Sequence, residues 1–161
     1  MSSMKKYELT EETKIIGDKM LFRIRALRSF GDIKAGDLGG FIENERNLSH
    51  GGNAWVGDNA QVGGNAQVGG DAWVDGDAWV DGDGLINSNN DYLCEKGLGS
   101  HNRSASFFKC KDGHIHVLCG CFSGNLDEFE NKVKEEHGNS KYAKEYLGFI
   151  EVVKTHFEVC Q

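Results

Sequence analysis

The chain has 161 residues, with 22 Gly, no Pro and a formal net charge of −7 from 25 acidic and 18 basic side chains. That balance excludes general binding to nucleic acid or to anionic membrane surfaces, which calls for a basic surplus, but leaves room for a local basic pocket. No apolar run approaches the ~20 residues of a membrane span, the N-terminus lacks the apolar stretch of a secretory leader, and the spacing of the five Cys suggests no disulfide framework, so a reducing, cytoplasmic setting is expected.

In chain order, residues 1–32 come first. The stretch TKIIGDKMLFRIRALRSF alternates on both sides of Gly17-Asp18, which predicts a β-hairpin turning there. Met20, Phe22, Ile24 and Ala26 fall on one face, and Leu21, Arg23, Arg25 and Leu27 on the other. Such a hairpin suits the end of a stacked β-structure, which needs a cap.

Residues 33–89 follow. From Ala54 the phrase Ala-x-Val-x-x-(Asn/Asp) recurs with a period of six: Ala at 54, 60, 66, 72 and 78, Val at 56, 62, 68, 74 and 80. A period of six is neither helical nor a plain strand alternation, and a strict tandem repeat indicates stacked coils. Val favours a strand, while Gly with Asn or Asp tolerates the left-handed backbone of a corner. Each hexad is thus a short strand and a corner, with Ala and Val inward and the intervening residue outward. Leu38, Ile42 and Leu48 read as inward positions of a less regular first coil.

The pattern resembles the hexapeptide repeat of left-handed parallel β-helices. The resemblance implies three hexads per coil and parallel stacking of residues 18 apart: Trp55 under Trp73, Gln61 under Trp79, Gln67 under Leu85. It also implies a homotrimer. Outward Trp55, Trp73 and Trp79 are then expected at the subunit interface, with a carbohydrate- or base-stacking platform as the competing use of such a row.

Residues 90–161 break the period. SASFFKCKDGHIHVLCGCFSG predicts a hairpin with Asp112-Gly113 as a two-residue turn, pairing Lys111 with His114, Lys109 with His116, Phe108 with Val117 and Ser106 with Cys119. Asn125-x-x-Glu128 predicts a capping box opening one helix, Gly138 its end, and Ser140 the start of a second whose stripe includes Tyr146, Ile150 and Val153. The expected architecture is mainly β: a short left-handed β-helix over 33–89, a hairpin cap over 1–32 and a ββαα domain over 90–161.

Three chemistries compete. For zinc, the predicted pairing puts Cys110, Cys119 and Cys121 on the helix-packing face and His114 and His116 on the other, so the thiols read as buried core and no metal or other cofactor is expected. For acyl transfer, a chemistry many hexapeptide-repeat proteins share, His50 is the lone candidate base near the coils, and no partner for it is recognisable. For anion binding, Gly97 and Gly99 free backbone amides, Ser100, Ser104 and Ser106 offer hydroxyls, and His101 and Arg103 offer cationic donors. Lys109, Lys111, His114 and His116 join them on one face of the predicted hairpin. This cluster is the expected site of a small phosphorylated ligand.

The chain as a whole is similar to small hexapeptide-repeat proteins of bacteriophages and prophages, on FRIRALRSFGDIKAGDLGGFIENERNLSHGGNAWV and CGCFSGNLDEFENKVKEEHGNSKYAKEYLGFIEVVKTHF. The resemblance implies a phage product in the bacterial cytoplasm or a virion part, and carries over no catalytic residues. By analogy between classes, some small oligomeric phage proteins without catalytic residues sequester a nucleotide-type signal of host defence. A non-enzymatic trimeric binding protein is the leading expectation, with an acyltransferase and a structural phage component as alternatives.

Overall fold

The early alternation folds as two antiparallel strands, β1 (Tyr7–Ile16) and β2 (Lys19–Ala26), joined by Gly17-Asp18 with Gly17 at φ +62°. A computed structural model describes residues 5–99 and 103–158 of the chain. It is mainly β, with two C-terminal helices. Strand β2 pairs antiparallel with β3 (Leu38–Ile42), so the hairpin is the first rung of a stack. Ile24 and Ala26 face the core, but at the tip the expected faces fail: Met20 is exposed and Leu21 buried.

Each hexad then contributes one two-residue strand: β4 (Trp55–Val56), β5 (Gln61–Val62), β6 (Gln67–Val68), β7 (Trp73–Val74), β8 (Trp79–Val80) and β9 (Leu85–Ile86). Pairing is parallel at a separation of 18 residues, Trp55 with Trp73, Gln61 with Trp79 and Gln67 with Leu85, the stacking that the resemblance implies. The repeated Ala and Val side chains are all buried in one core with Ile42, Leu48 and Ile86. Corners fall every sixth residue with φ between +50° and +66°: Gly52, Asp58, Gly64, Gly70, Gly76 and Gly82.

Both ends of this rod are covered. At the start, Lys6 is fully buried, its ammonium donating to the carbonyls of Ala54 and Gly51 and lying over the Phe30 ring. At the other end sits an antiparallel sheet in the order β10 (Tyr92–Leu98), β11 (Arg103–Lys109), β12 (Ile115–Cys119), β13 (Phe122–Asn125). The C-terminal unit is therefore ββββαα where ββαα was expected. The outer strands escape sequence reading because Glu95, Lys96 and Gly97 interrupt the apolar pattern of β10, and β13 has only four residues. Helix α1 (Leu126–His137) begins at the predicted Asn125–Glu128 capping box and ends at Gly138, and α2 (Lys141–His156) begins at the predicted Ser140 cap.

The sheet is buried on both faces. Phe107, Val117 and Ile115 join Phe129, Tyr146 and Ile150 under the helices. Phe108, Cys110 and Leu118 join Val80 and Ile86 in the core of the rod. Ser106, also buried, accepts a hydrogen bond from the Trp79 amide at 2.9 Å and so satisfies a donor at the rod's final rung. Among the described residues no helix is long and apolar enough to cross a membrane.

Candidate functional site

The turn after Cys110 redraws the expected anion site. Gly113 N–H donates to the Cys110 carbonyl at 2.8 Å, Cys110 N–H to the His114 carbonyl at 2.9 Å, and Gly113 sits at φ +90°. The loop thus holds three residues, Lys111 to Gly113, with a left-handed Gly at its third position, a standard hairpin geometry. Asp112 Oδ1 tightens it by accepting from the His114 amide at 3.0 Å. The register moves by one from the predicted pairing: Lys109 faces Ile115, Phe108 faces His116, and Ala105 faces Cys119.

A one-residue slip sends side chains to the other face. Lys109 lies on the helix side of the sheet, away from His114 and His116, so the expected basic face does not form. Cys110 moves the other way. The predicted pairing puts it on the helix-packing face, and it lies instead with the two His. Of the remaining predicted site residues, Ser106 is spent on the Trp79 amide and Lys111 is exposed, its amide bound to the Asp83 carbonyl. Ser104 is half-buried in β11. The Gly99 amide donates to the Glu145 carboxylate at 2.6 Å, which puts a negative charge where an anion was expected. Ser100 and His101 lie outside the described residues, and only the backbone of Arg103 is described.

The regrouped side chains form a converging cluster. Asp112 Oδ1 stands 2.5 Å from His114 Nδ1, and Ser123 Oγ stands 2.8 Å from His116 Nε2. The two inner nitrogens, His114 Nε2 and His116 Nδ1, face each other at 3.4 Å. One ligand atom each from Cys110, His114 and His116 lies within 4.8 Å of the other two. Burial, then the nearby Asp112 and Asp83, push the Cys110 thiol up to about 11. Burial, then the neighbouring His114, lower the His116 pKa and favour its neutral ring.

The three Trp do not form an exposed row. Trp55 is 2% exposed and packs edge-on against Phe30 at 5.3 Å, beneath the N-terminal segment. Trp73 and Trp79 are half-buried within their own chain. The N-terminal segment and the C-terminal sheet fold back over surfaces that the repeat alone leaves open. Trp55 is thereby covered by its own chain.

Trp73 instead forms one wall of a cleft of about 690 Å³ between the rod and the C-terminal unit. Its Nε1 donates to the Asn53 carbonyl at 3.1 Å and its amide to Asn89 Oδ1 at 2.8 Å, which pins the ring. Tyr92 lies on the opposite element, with Asp75 and Asp77 on the corner after Trp73 and Lys96 beside Asp77 at 3.2 Å. Burial, then Asp75, raise the Tyr92 phenol to about 12, so it stays a donor at neutral pH. His156 closes the cleft by bonding through Nε2 to the Tyr92 carbonyl at 2.9 Å. No sequence signal joins these residues, because Trp73 and His156 meet only through the docking of α2. A second cavity, of about 680 Å³, lies within the C-terminal unit. Its rings are already packed on one another as core: Phe122 on Phe129, Phe129 on Tyr146, His137 on Tyr146.

His50 is not poised as a base. Its Nδ1 accepts from the Lys6 amide at 3.1 Å, which leaves the proton on Nε2, 3.1 Å from Glu45 Oε1. The ring also stacks on Tyr7 at 4.1 Å. Both nitrogens are engaged and no lone pair is open to a substrate. No protein-family model matches this chain, and no curated protein is significantly similar to it.

Proposed function

We propose that the chain is a non-enzymatic binding protein that holds a small nucleoside-type ligand in the cleft between the rod and the C-terminal unit. One observation carries this reading: Trp73 and Tyr92, brought from the two units, line the same cavity as Asp75, Asp77 and Lys96. Aromatic faces stack a planar base, each such contact contributing ~1–3 kcal/mol. Carboxylates at the corner accept hydrogen bonds from ribose hydroxyls. Lys96 is the cation for one phosphate. With two carboxylates against one lysine the cleft disfavours polyphosphates, so the phosphate-centred expectation narrows to a nucleoside or a nucleotide of low charge.

The rod enters the same proposal as a short left-handed parallel β-helix of hexapeptide repeats. The 18-residue parallel register and the left-handed corners support it. The proposal retains the kinship with small phage and prophage proteins, the bacterial cytoplasm as the setting, and sequestration of a host signalling nucleotide as the role. It retains a homotrimer as well, with the contact surface away from Trp55.

Calorimetry with adenosine, its monophosphate, ADP-ribose and simple sugars tests the reading. A nucleoside or nucleotide should bind, and Trp73→Ala should weaken it roughly fivefold to over a hundredfold. Binding of none of these below ~1 mM, about −4 kcal/mol, or equal binding by Trp73→Ala, refutes it. Binding of sugars alone would make the cleft a carbohydrate site.

A further inference from the structure

We propose that Cys110, His114 and His116 form a mononuclear site for a zinc-class metal ion, with Cys110 Sγ, His114 Nε2 and His116 Nδ1 as its three protein ligands. The site lies at the β11–β12 turn, apart from the cleft, and stands independently of the function proposed there.

The donor set comes first. One thiolate and two imidazoles suit Zn²⁺, and three protein ligands leave a fourth position for water or another molecule. The tautomers come next. A ligating His characteristically gives its other nitrogen to an oxygen partner, which orients the ring. His114 Nδ1 is held by Asp112 and His116 Nε2 by Ser123, so both outer nitrogens are occupied and both inner ones converge.

Distance then separates a metal site from an ordinary pair of hydrogen-bonded rings. Two imidazole nitrogens bound at ~2.0–2.1 Å in a tetrahedron lie ~3.3 Å apart. The observed separation is 3.4 Å. As a hydrogen bond that separation is long, beyond the usual ~2.7–3.2 Å. The sulfur–nitrogen edge of the same tetrahedron is ~3.6 Å. The sulfur begins within 4.8 Å of both rings. Closing it takes a shift of ~1 Å, which the half-exposed His114 ring can make together with its exposed Asp112 partner.

The scaffold is rigid where it matters. Cys110 is fixed by its bond to His114 and by a bridge to Gly84 at the end of the rod. On binding, the thiol proton leaves to solvent and the sulfur forms its bond to the metal, with no change in oxidation state. The three-residue loop makes this possible: with the two-residue turn, Cys110 would face the helices and the two His the other way.

The test is titration of the metal-stripped 161-residue chain with Co²⁺, followed by competition with Zn²⁺. One ion per chain is expected, with a thiolate-to-cobalt charge-transfer band that zinc abolishes. Cys110→Ser should remove the band, and His114→Gln should weaken binding at least as much as Asp112→Asn, which acts through His114 and should cost roughly 10–100-fold. Cys121→Ser, at the exposed thiol, should change nothing. Circular dichroism checks folding; should Cys110→Ser fail to fold, His114→Gln and Asp112→Asn decide. A cobalt complex without a thiolate band, uptake well below one ion per chain, or unchanged affinity in His114→Gln overturns the proposal.

Discussion

Two glycine corners with nearly the same backbone should respond very differently to one added methyl group. Gly52 has φ +61° and Gly76 has φ +66°. An Ala at either adopts a left-handed conformation that costs an L-residue roughly 1–2 kcal/mol, partly offset by the stiffer unfolded chain. At Gly76 the new Cβ meets nothing within 4 Å, so Gly76→Ala should cost only about 1 kcal/mol. At Gly52 the Cβ would lie 2.5 Å from the Gly70 carbonyl oxygen, at the corner 18 residues further along. Carbon–oxygen contacts ordinarily begin at ~3.3 Å, so the backbone must move by ~0.8 Å, and crowding of that kind adds ~1–3 kcal/mol. Gly52→Ala should therefore destabilise by about 2–4 kcal/mol, roughly 2 more than Gly76→Ala. Asp58 shows that a side chain is tolerated where it gains a contact: at φ +50° its Oδ2 accepts from the Gly76 amide at 3.0 Å. Urea unfolding followed by Trp fluorescence, with unchanged slope, gives the two values. If the two variants agree within ~0.5 kcal/mol, the corners are not in close contact, and the stacking described here is wrong.

Three further outcomes follow from the packing. Val68→Asp puts a carboxylate into the dry interior beside Ile86, where an unpaired charge costs several kcal/mol; a melting temperature equal to the parent's would show that position 68 does not face inward. Ser106→Ala leaves the Trp79 amide without its partner, at a cost of ~1–3 kcal/mol in chemical denaturation, and an unchanged midpoint would mean that water replaces the hydroxyl. Lys6 is held down from its ordinary 10.5 to about 8 by burial, then by Arg28, so between those values the unfolded chain binds the proton and the folded chain does not. Stability from this group must therefore rise with pH across that window; the difference between the parent and Lys6→Met should grow in the parent's favour by about 2–3 kcal/mol from pH 8 to 10.5, and a flat difference would place Lys6 in water. Taking the difference cancels Cys94, Cys110, Tyr7 and Tyr92, whose raised pKa values act in the opposite direction in both proteins.

What the sequence determined by itself is whatever depends on near neighbours. The inward Val and Ala and the left-handed corners are written in the six-residue repeat, because each hexad repeats the same local decision, and the 18-residue register is what the resemblance to stacked hexapeptide repeats implies. The two helices are legible for the same reason, since Asn125, Glu128, Gly138 and Ser140 act on the turn beside them. Tertiary structure decided what lies against what. Trp55 looks outward by alternation, and it is buried because Phe30 and the N-terminal segment return to cover it. Ser106 looks like a ligand group until the sheet docks and gives it to the Trp79 amide. Trp73, Tyr92 and His156 form one cleft only because β10 and α2 settle beside the rod. The turn after Cys110 lies between these cases: Asp112-Gly113 fits a two-residue turn or the end of a three-residue one, and local sequence does not distinguish them. Docking against Gly84 and Asp83 joins Cys110 and Lys111 to the end of the rod, and the three-residue turn brings Cys110 to His114 and His116.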